Sequence, residues 1–214
     1  MARPVVFSFP AVDRDGICAS QTTAGAGALI INGALLDLPA TMQSVTRVVL
    51  PGIARVVSIY SAANISALTF TVTGTNLRGA VITEGITGPN ATTVAGSTEF
   101  HSVTSVTADG AVASAAEVGT GSTGSTNWWR TDDFATIANI SAGIAITATA
   151  SVTVQNTFDD AEVAAPTVTY NHPTLAAITA TAESNYAFPP GRVRAIMNSS
   201  SGSGAFTATF TQAG

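Results

Sequence analysis

Apolar and polar residues alternate with a period of two along much of this 214-residue chain. From 144 to 158 the even positions are Ile144, Ile146, Ala148, Ala150, Val152, Val154, Asn156 and Phe158. The odd positions, Ala145 aside, are Thr147, Thr149, Ser151, Thr153, Gln155 and Thr157. Successive side chains of a strand point to opposite faces, so this pattern predicts one face on a core and one toward water. The run is longer than the usual five or six residues of a strand, which predicts a bend or bulge within it. Residues 66–74 behave alike, with Leu68, Phe70 and Val72 against Thr69, Thr71 and Thr73. Branched Thr and Val side chains fit a pleated surface, which reinforces the strand reading.

Turn residues interrupt these runs at short intervals. Asn32-Gly33 predicts a hairpin between residues 28–31 and 34–38, because this dipeptide suits a tight two-residue turn. Asp109-Gly110, Gly88-Pro89-Asn90 and Pro189-Pro190-Gly191 mark further breaks. No stretch carries a 3.6-residue apolar stripe; residues 176–182 come nearest, but they lack caps and include β-branched residues. The expected class is therefore all-β, an antiparallel, sandwich-like fold. The Gly/Ser/Thr run 119–126 reads as a linker or surface loop between a first β-module, 27–118, and a second, 127–214. Residues 1–26 are less regular, with 3–9 strand-like and 13–27 polar, and read as an N-terminal arm that either frays or orders against a partner. Pro51-Gly52 before the strand-like 53–57 and 67–73, and Pro190-Gly191 before 192–196 and 205–211, suggest two related hairpins.

Composition alters this picture in one respect. Charged residues make up only 10% of the chain, and all eight basic residues are arginines, against about 25% charge in ordinary soluble domains. Solubility then rests on Thr, Ser, Asn and Gln, or much of the surface is covered by other chains, since interface cores are depleted in charge. The net charge of −5 and the scattered arginines leave no basic stripe for nucleic acid. A lone cysteine, Cys18, fits synthesis in a reducing cytoplasm. The N-terminus lacks the pattern of a signal peptide, and no apolar run reaches membrane-spanning length.

Catalytic signatures are missing. His101 and His172 are far apart, and no His/Cys/Asp spacing suits a metal, so no cofactor or metal is expected. The glycine-rich run 119–124 has no lysine to make a phosphate loop. The serine cluster 199–203 is a polar turn rather than a nucleophile elbow. Asp132-Asp133 and Asp159-Asp160 read as strand ends, because neighbours on a strand face opposite ways. Trp128-Trp129-Arg130 is the most unusual cluster: one ring fills a core with its neighbour under a loop, or the pair makes a subunit contact.

Several segments resemble small virion structural proteins of tailed bacteriophages. They are residues 15–22 (DGICASQT), 29–33 (LIING), 68–75 (LTFTVTGT) and 86–93 (ITGPNATT). Residues 100–107 (FHSVTSVT), 154–160 (VQNTFDD) and the terminal TQAG complete the likeness. The resemblance implies a non-catalytic part of the virion, made in the bacterial host cytoplasm. Its size and compact β-pattern suit a capsid decoration (cement) protein. A tail, collar or head-to-tail component is the alternative, and a carbohydrate-binding module a more distant one. The implied partners are the major capsid protein and further copies of the chain, such as a trimer, with neither nucleic acid nor membrane. The expected assembly contacts are Arg3, Phe7 and Phe9 in the arm, and Trp128, Trp129 and Arg130.

Overall fold

The computed structural model describes residues 4–37, 47–132, 139–159 and 165–213, with Leu36, Asp37 and Ala213 through their backbone only. Arg3, Leu38, Asp133 and Asp160 lie outside the described residues. Among those described there is no helix. The first nine strands are β1 (Val5–Phe9), β2 (Cys18–Gln21), β3 (Gly27–Ala28), β4 (Leu36–Asp37), β5 (Arg47–Val49), β6 (Ile53–Ser61), β7 (Thr69–Thr75), β8 (Val81–Thr87) and β9 (Thr93–Phe100). The rest are β10 (Ser102–Ala108), β11 (Ala116–Thr126), β12 (Trp129–Arg130), β13 (Asn139–Thr147), β14 (Ala150–Thr157), β15 (Tyr170–Asn171), β16 (Ala182–Tyr186), β17 (Arg192–Ser200) and β18 (Ala205–Ala213). The fold is all-β, antiparallel and sandwich-like.

The chain forms two compact units, Val12–Gly121 and a split unit of Met1–Ala11 with Ser122–Gly214. In Val12–Gly121 one sheet has the order β4-β5-β10-β7-β8, with β3 beside β10. Its β7–β8 pair is a hairpin from Thr69↔Thr87 to Thr75↔Val81. Asn76 makes its turn, accepting the Arg78 and Ala80 N–H groups on Oδ1, while Gly79 takes a φ of 78°. In the same unit β6 pairs with β9, and β2 with the start of β11. Ile59, Phe70, Val72, Phe100 and Val106 are buried from the two sets of strands.

The split unit has one sheet ordered β1-β18-β13-β16. Against it, β17 lies between β14 on one side and β12 with the end of β11 on the other. Phe9, Ile140, Ile144, Phe206 and Phe210 from the first sheet and Val152, Val154, Val193 and Met197 from the second form its core, each at most 2% exposed. Apolar burial of this kind contributes about 25 cal/mol per Å².

Several expectations are corrected. The 144–158 run is two strands, β13 and β14, which enter different sheets. The break falls at Ala148, whose φ of 56° turns the chain sharply. Asn32-Gly33 is not a hairpin turn, since β3 pairs with β10 and β4 with β5. Instead Asn32 Oδ1 accepts the Ala19 N–H, and Gly33 lies so close to Gly16 that a Cβ would meet its backbone at 2.2 Å. Residues 119–126 are not a linker but part of β11, whose Gly, Ser and Thr residues are largely buried. Small side chains let neighbouring strands close in: a Cβ on Gly121 would strike Val56 at 2.5 Å. Within the arm 1–26 the strand-like segment 3–9 holds the strand Val5–Phe9, but it is paired in the split unit rather than free, and the polar segment 13–27 holds a strand of the other unit, Cys18–Gln21. Finally, the two Pro-Gly segments precede strands as expected, but neither strand pair is a hairpin: β6 and β7 enter different sheets, as do β17 and β18.

Candidate assembly surface

The end of β14 and the short β15 carry the most unusual surface of the split unit. Register pairs Asn156 with Tyr170 and Gln155 with Asn171, so Phe158, just past β14, and Tyr170 come together at one end. Their rings meet edge to face at 5.9 Å, and Phe188, beyond β16, lies 5.7 Å from Phe158. Phe158, Tyr170 and Phe188 are 59%, 51% and 46% exposed, and Val168 is 48% exposed. The cluster is rooted in the interior through Tyr186, whose ring is 5.9 Å from Phe188 and 4.7 Å from His172.

Polar bonds hold this cluster in shape. The Asp159 carboxylate accepts the Thr167 hydroxyl and the Thr167 and Val168 N–H groups, which holds its pKa below the usual carboxylate value. The Thr157 hydroxyl donates to the Val168 carbonyl at 2.8 Å. His172 is buried; its Nε2 donates to the Asn185 carbonyl while Nδ1 accepts the Thr174 N–H, both at 3.3 Å. That assignment follows from the partners and occupies both ring nitrogens. Burial also raises the pKa of the Tyr186 hydroxyl, and among the described residues neither it nor Asn156 Nδ2 has a hydrogen-bond partner.

The residues expected at the assembly surface are dispersed. Phe7, half-buried, meets Phe210 edge-on at 6.2 Å, and Trp129 stacks on the same ring at 6.0 Å. Phe9 is a correction: it is fully buried, stacked on Phe206 at 5.0 Å, because the inward face of β1 closes the core. Trp128 is half-buried under the Arg194 guanidinium, 4.5 Å from the ring centre, and Gln155 holds that guanidinium at 2.9 Å. Arg130 is exposed. The aromatic cluster escaped the sequence reading because Phe158, Tyr170 and Phe188 are spread over thirty residues; their one shared signal is an aromatic ring beside a strand end.

Other polar groups have structural partners. Arg55 is buried in Val12–Gly121, where its Nε and Nη2 donate to the Gly121 carbonyl. Burial lowers its pKa to about 10, opposed by the charge of Asp13. The Asp13 carboxyl is itself raised, first by burial and then by its bond to Asp15. Arg14 pairs with Glu117 at 2.5 Å and covers the Tyr60 ring. Among the described residues no group of three His, Cys, Asp or Glu side chains is placed to hold a metal.

A shallow groove of about 640 Å³ runs over the outer face of β13, β16 and β18. Among the described residues Asn139, Ser141, Asn185, Thr209 and Thr211 line it, with Glu183 the one carboxylate. Comparison with protein-family models, curated proteins and solved structures finds no match to this chain.

Proposed function

We propose that this protein is a structural part of a tailed-bacteriophage particle that binds the outside of the capsid and stabilises it without catalysis. One observation carries the reading: three exposed aromatic rings, Phe158, Tyr170 and Phe188, meet in an apolar patch beside the exposed Val168, on a chain with only 10% charged residues. Contiguous exposed apolar surface marks interaction sites, and aromatic anchors dominate binding energy at interfaces. The partners are the major capsid protein and other copies of the chain. Association costs several kcal/mol of rigid-body freedom, so one small patch binds weakly; repeated over a symmetric shell, such contacts gain by avidity.

Labelled electron microscopy of particles, with copy number from quantitative mass spectrometry, tests the proposal. Many copies over the shell are expected, falling at least tenfold in a Phe158→Ser/Tyr170→Ser/Phe188→Ser variant. A few copies at one vertex would transfer the protein to the tail, collar or head-to-tail junction. No copies at all would remove it from the virion. The hydroxyl- and amide-lined groove favours the carbohydrate-binding reading instead, and a glycan array showing no binding would discard that.

A further inference from the structure

In the Val12–Gly121 unit residues 30–35 run beside 16–21, and hydrogen bonds tie the two segments along their length. Ile30 exchanges two bonds with the Gln21 amide, its N–H donating to Oε1 and its carbonyl accepting from Nε2. The Ala19 N–H donates to Asn32 Oδ1 at 2.9 Å, the Gly33 N–H to the Ile17 carbonyl at 3.0 Å and the Leu35 N–H to the Gly16 carbonyl at 2.9 Å. Gly33 is buried, and a Cβ there would overlap the Gly16 backbone and the Asp15 carbonyl oxygen. Asn32-Gly33 is also the one Asn-Gly pair in the chain.

Asn-Gly is the dipeptide most prone to losing its amide, because glycine puts no side chain in the way of its own nitrogen. In that reaction the Gly33 nitrogen gives up its proton to water and attacks Asn32 Cγ. The N–Cγ bond forms, the Cγ–Nδ2 bond breaks and ammonia leaves. Water then opens the succinimide ring at either carbonyl, giving aspartate or isoaspartate, whose main chain runs through the former side chain. In the folded chain both reacting groups are engaged: the Gly33 N–H is buried against Ile17, and the Asn32 carboxamide is held by Ala19.

We propose that Asn32 is a covalent modification site closed by folding: the unfolded chain converts it, the native chain does not, and conversion to isoaspartate bars return to the native fold. Isoaspartate adds one methylene to the main chain before Gly33, about 1.5 Å of extra path, where there is no room even for a Cβ. Aspartate differs, since a carboxylate oxygen accepts the Ala19 N–H as the amide oxygen does. The site therefore records time spent unfolded and withdraws the chains that overstay. Reaction in native protein is limited to the small population in which both segments have separated.

The test holds the full chain at mildly alkaline pH, native or in guanidinium chloride. Cleavage after Arg14 and Arg47 isolates the site, since Asn32 is the one asparagine between them. Mass spectrometry follows the gain of one mass unit, and fragmentation locates isoaspartate at position 32. Conversion should be at least tenfold faster in denaturant than in native chain. When denaturant is removed, chains with isoaspartate at position 32 should be depleted at least tenfold from the folded fraction, whereas Asn32→Asp should fold with wild-type yield. Gln21→Ala, which removes both bonds to Ile30, should speed conversion of the native chain several-fold. Native and denatured chains converting at rates within twofold would overturn the proposal, as would isoaspartate chains recovered undepleted in the folded fraction. Failure of Asn32→Asp to fold would assign the block to the lost amide and overturn it as well.

Discussion

Replacing Phe9 with alanine tests whether the N-terminal strand belongs to the fold of residues more than a hundred positions away. Phe9 is fully buried, and its ring lies 5.0 Å from Phe206 at an interplanar angle of 11°. Removing a buried Phe side chain costs about 3–5 kcal/mol, combining lost transfer energy with the cavity left behind. The stacked pair contributes about 0.5–1.5 kcal/mol of that total. Because β1 is an edge strand and can settle inward, the lower end, about 3 kcal/mol, is the expected value. Both tryptophans, Trp128 and Trp129, lie in the split unit, and Trp129 stacks on Phe210 of the strand that receives β1. Tryptophan fluorescence therefore follows unfolding of the unit that Phe9 joins. With an m-value of about 1.5 kcal/mol per M for a unit of this size, the urea midpoint should fall by about 2 M. Ser8→Ala, on the outward face of the same strand, should move it by less than about 0.5 kcal/mol. A Phe9→Ala midpoint within 0.3 M of wild type would refute the docking of β1 on β18.

Further outcomes follow from individual groups. Burial pushes the Cys18 thiol up to about 12, so a thiol reagent at pH 8 should leave the native chain unmodified and label it fully in denaturant. The Tyr186 hydroxyl is buried with no hydrogen-bond partner among the described residues, so Tyr186→Phe should leave stability unchanged or raise it by up to about 1 kcal/mol in urea melts; a loss of more than about 1 kcal/mol would show that the hydroxyl is bonded. The Asp159 carboxyl is held below its ordinary pKa by the Thr167 hydroxyl and the two N–H groups. Its contribution is present above the unfolded carboxylate pKa and lost as pH falls through the lowered folded value, and Thr167→Val should move its NMR titration upward. Arg55→Ala should destabilise the Val12–Gly121 unit by about 1–3 kcal/mol in the same melts, because it removes the Nε and Nη2 groups that donate to the buried Gly121 carbonyl.

What the sequence disclosed was orientation, and what it withheld was partnership. In 66–74, Phe70 and Val72 are buried while Thr69 and Thr71 are exposed, as the alternation implies. The same period runs through 144–158, and there it conceals the change of sheet at Ala148. A strand of either sheet buries one face, so passing from one sheet to the other preserves the pattern. Turn dipeptides share this limit. Asn76 and Gly79 make the true β7–β8 turn, whereas Asn32-Gly33 serves a close backbone approach, a use of glycine that composition cannot tell from a turn.

The buried Gly/Ser/Thr strand β11 shows most clearly why flexible composition and flexible structure differ. Residues 119–126 carry no large side chain, so nothing in them marks a core position, and the same residues make good linkers. Yet Gly119 lies where a Cβ would meet the Asp13 carbonyl at 1.9 Å, and Gly121 where one would meet Val56. The absence of side chains is what the neighbouring backbone requires there. Gly119→Ala or Gly121→Val should then behave as overpacking substitutions, destabilising by about 1–3 kcal/mol or more. In a surface linker both would be neutral, and urea melts of these variants distinguish the two situations directly.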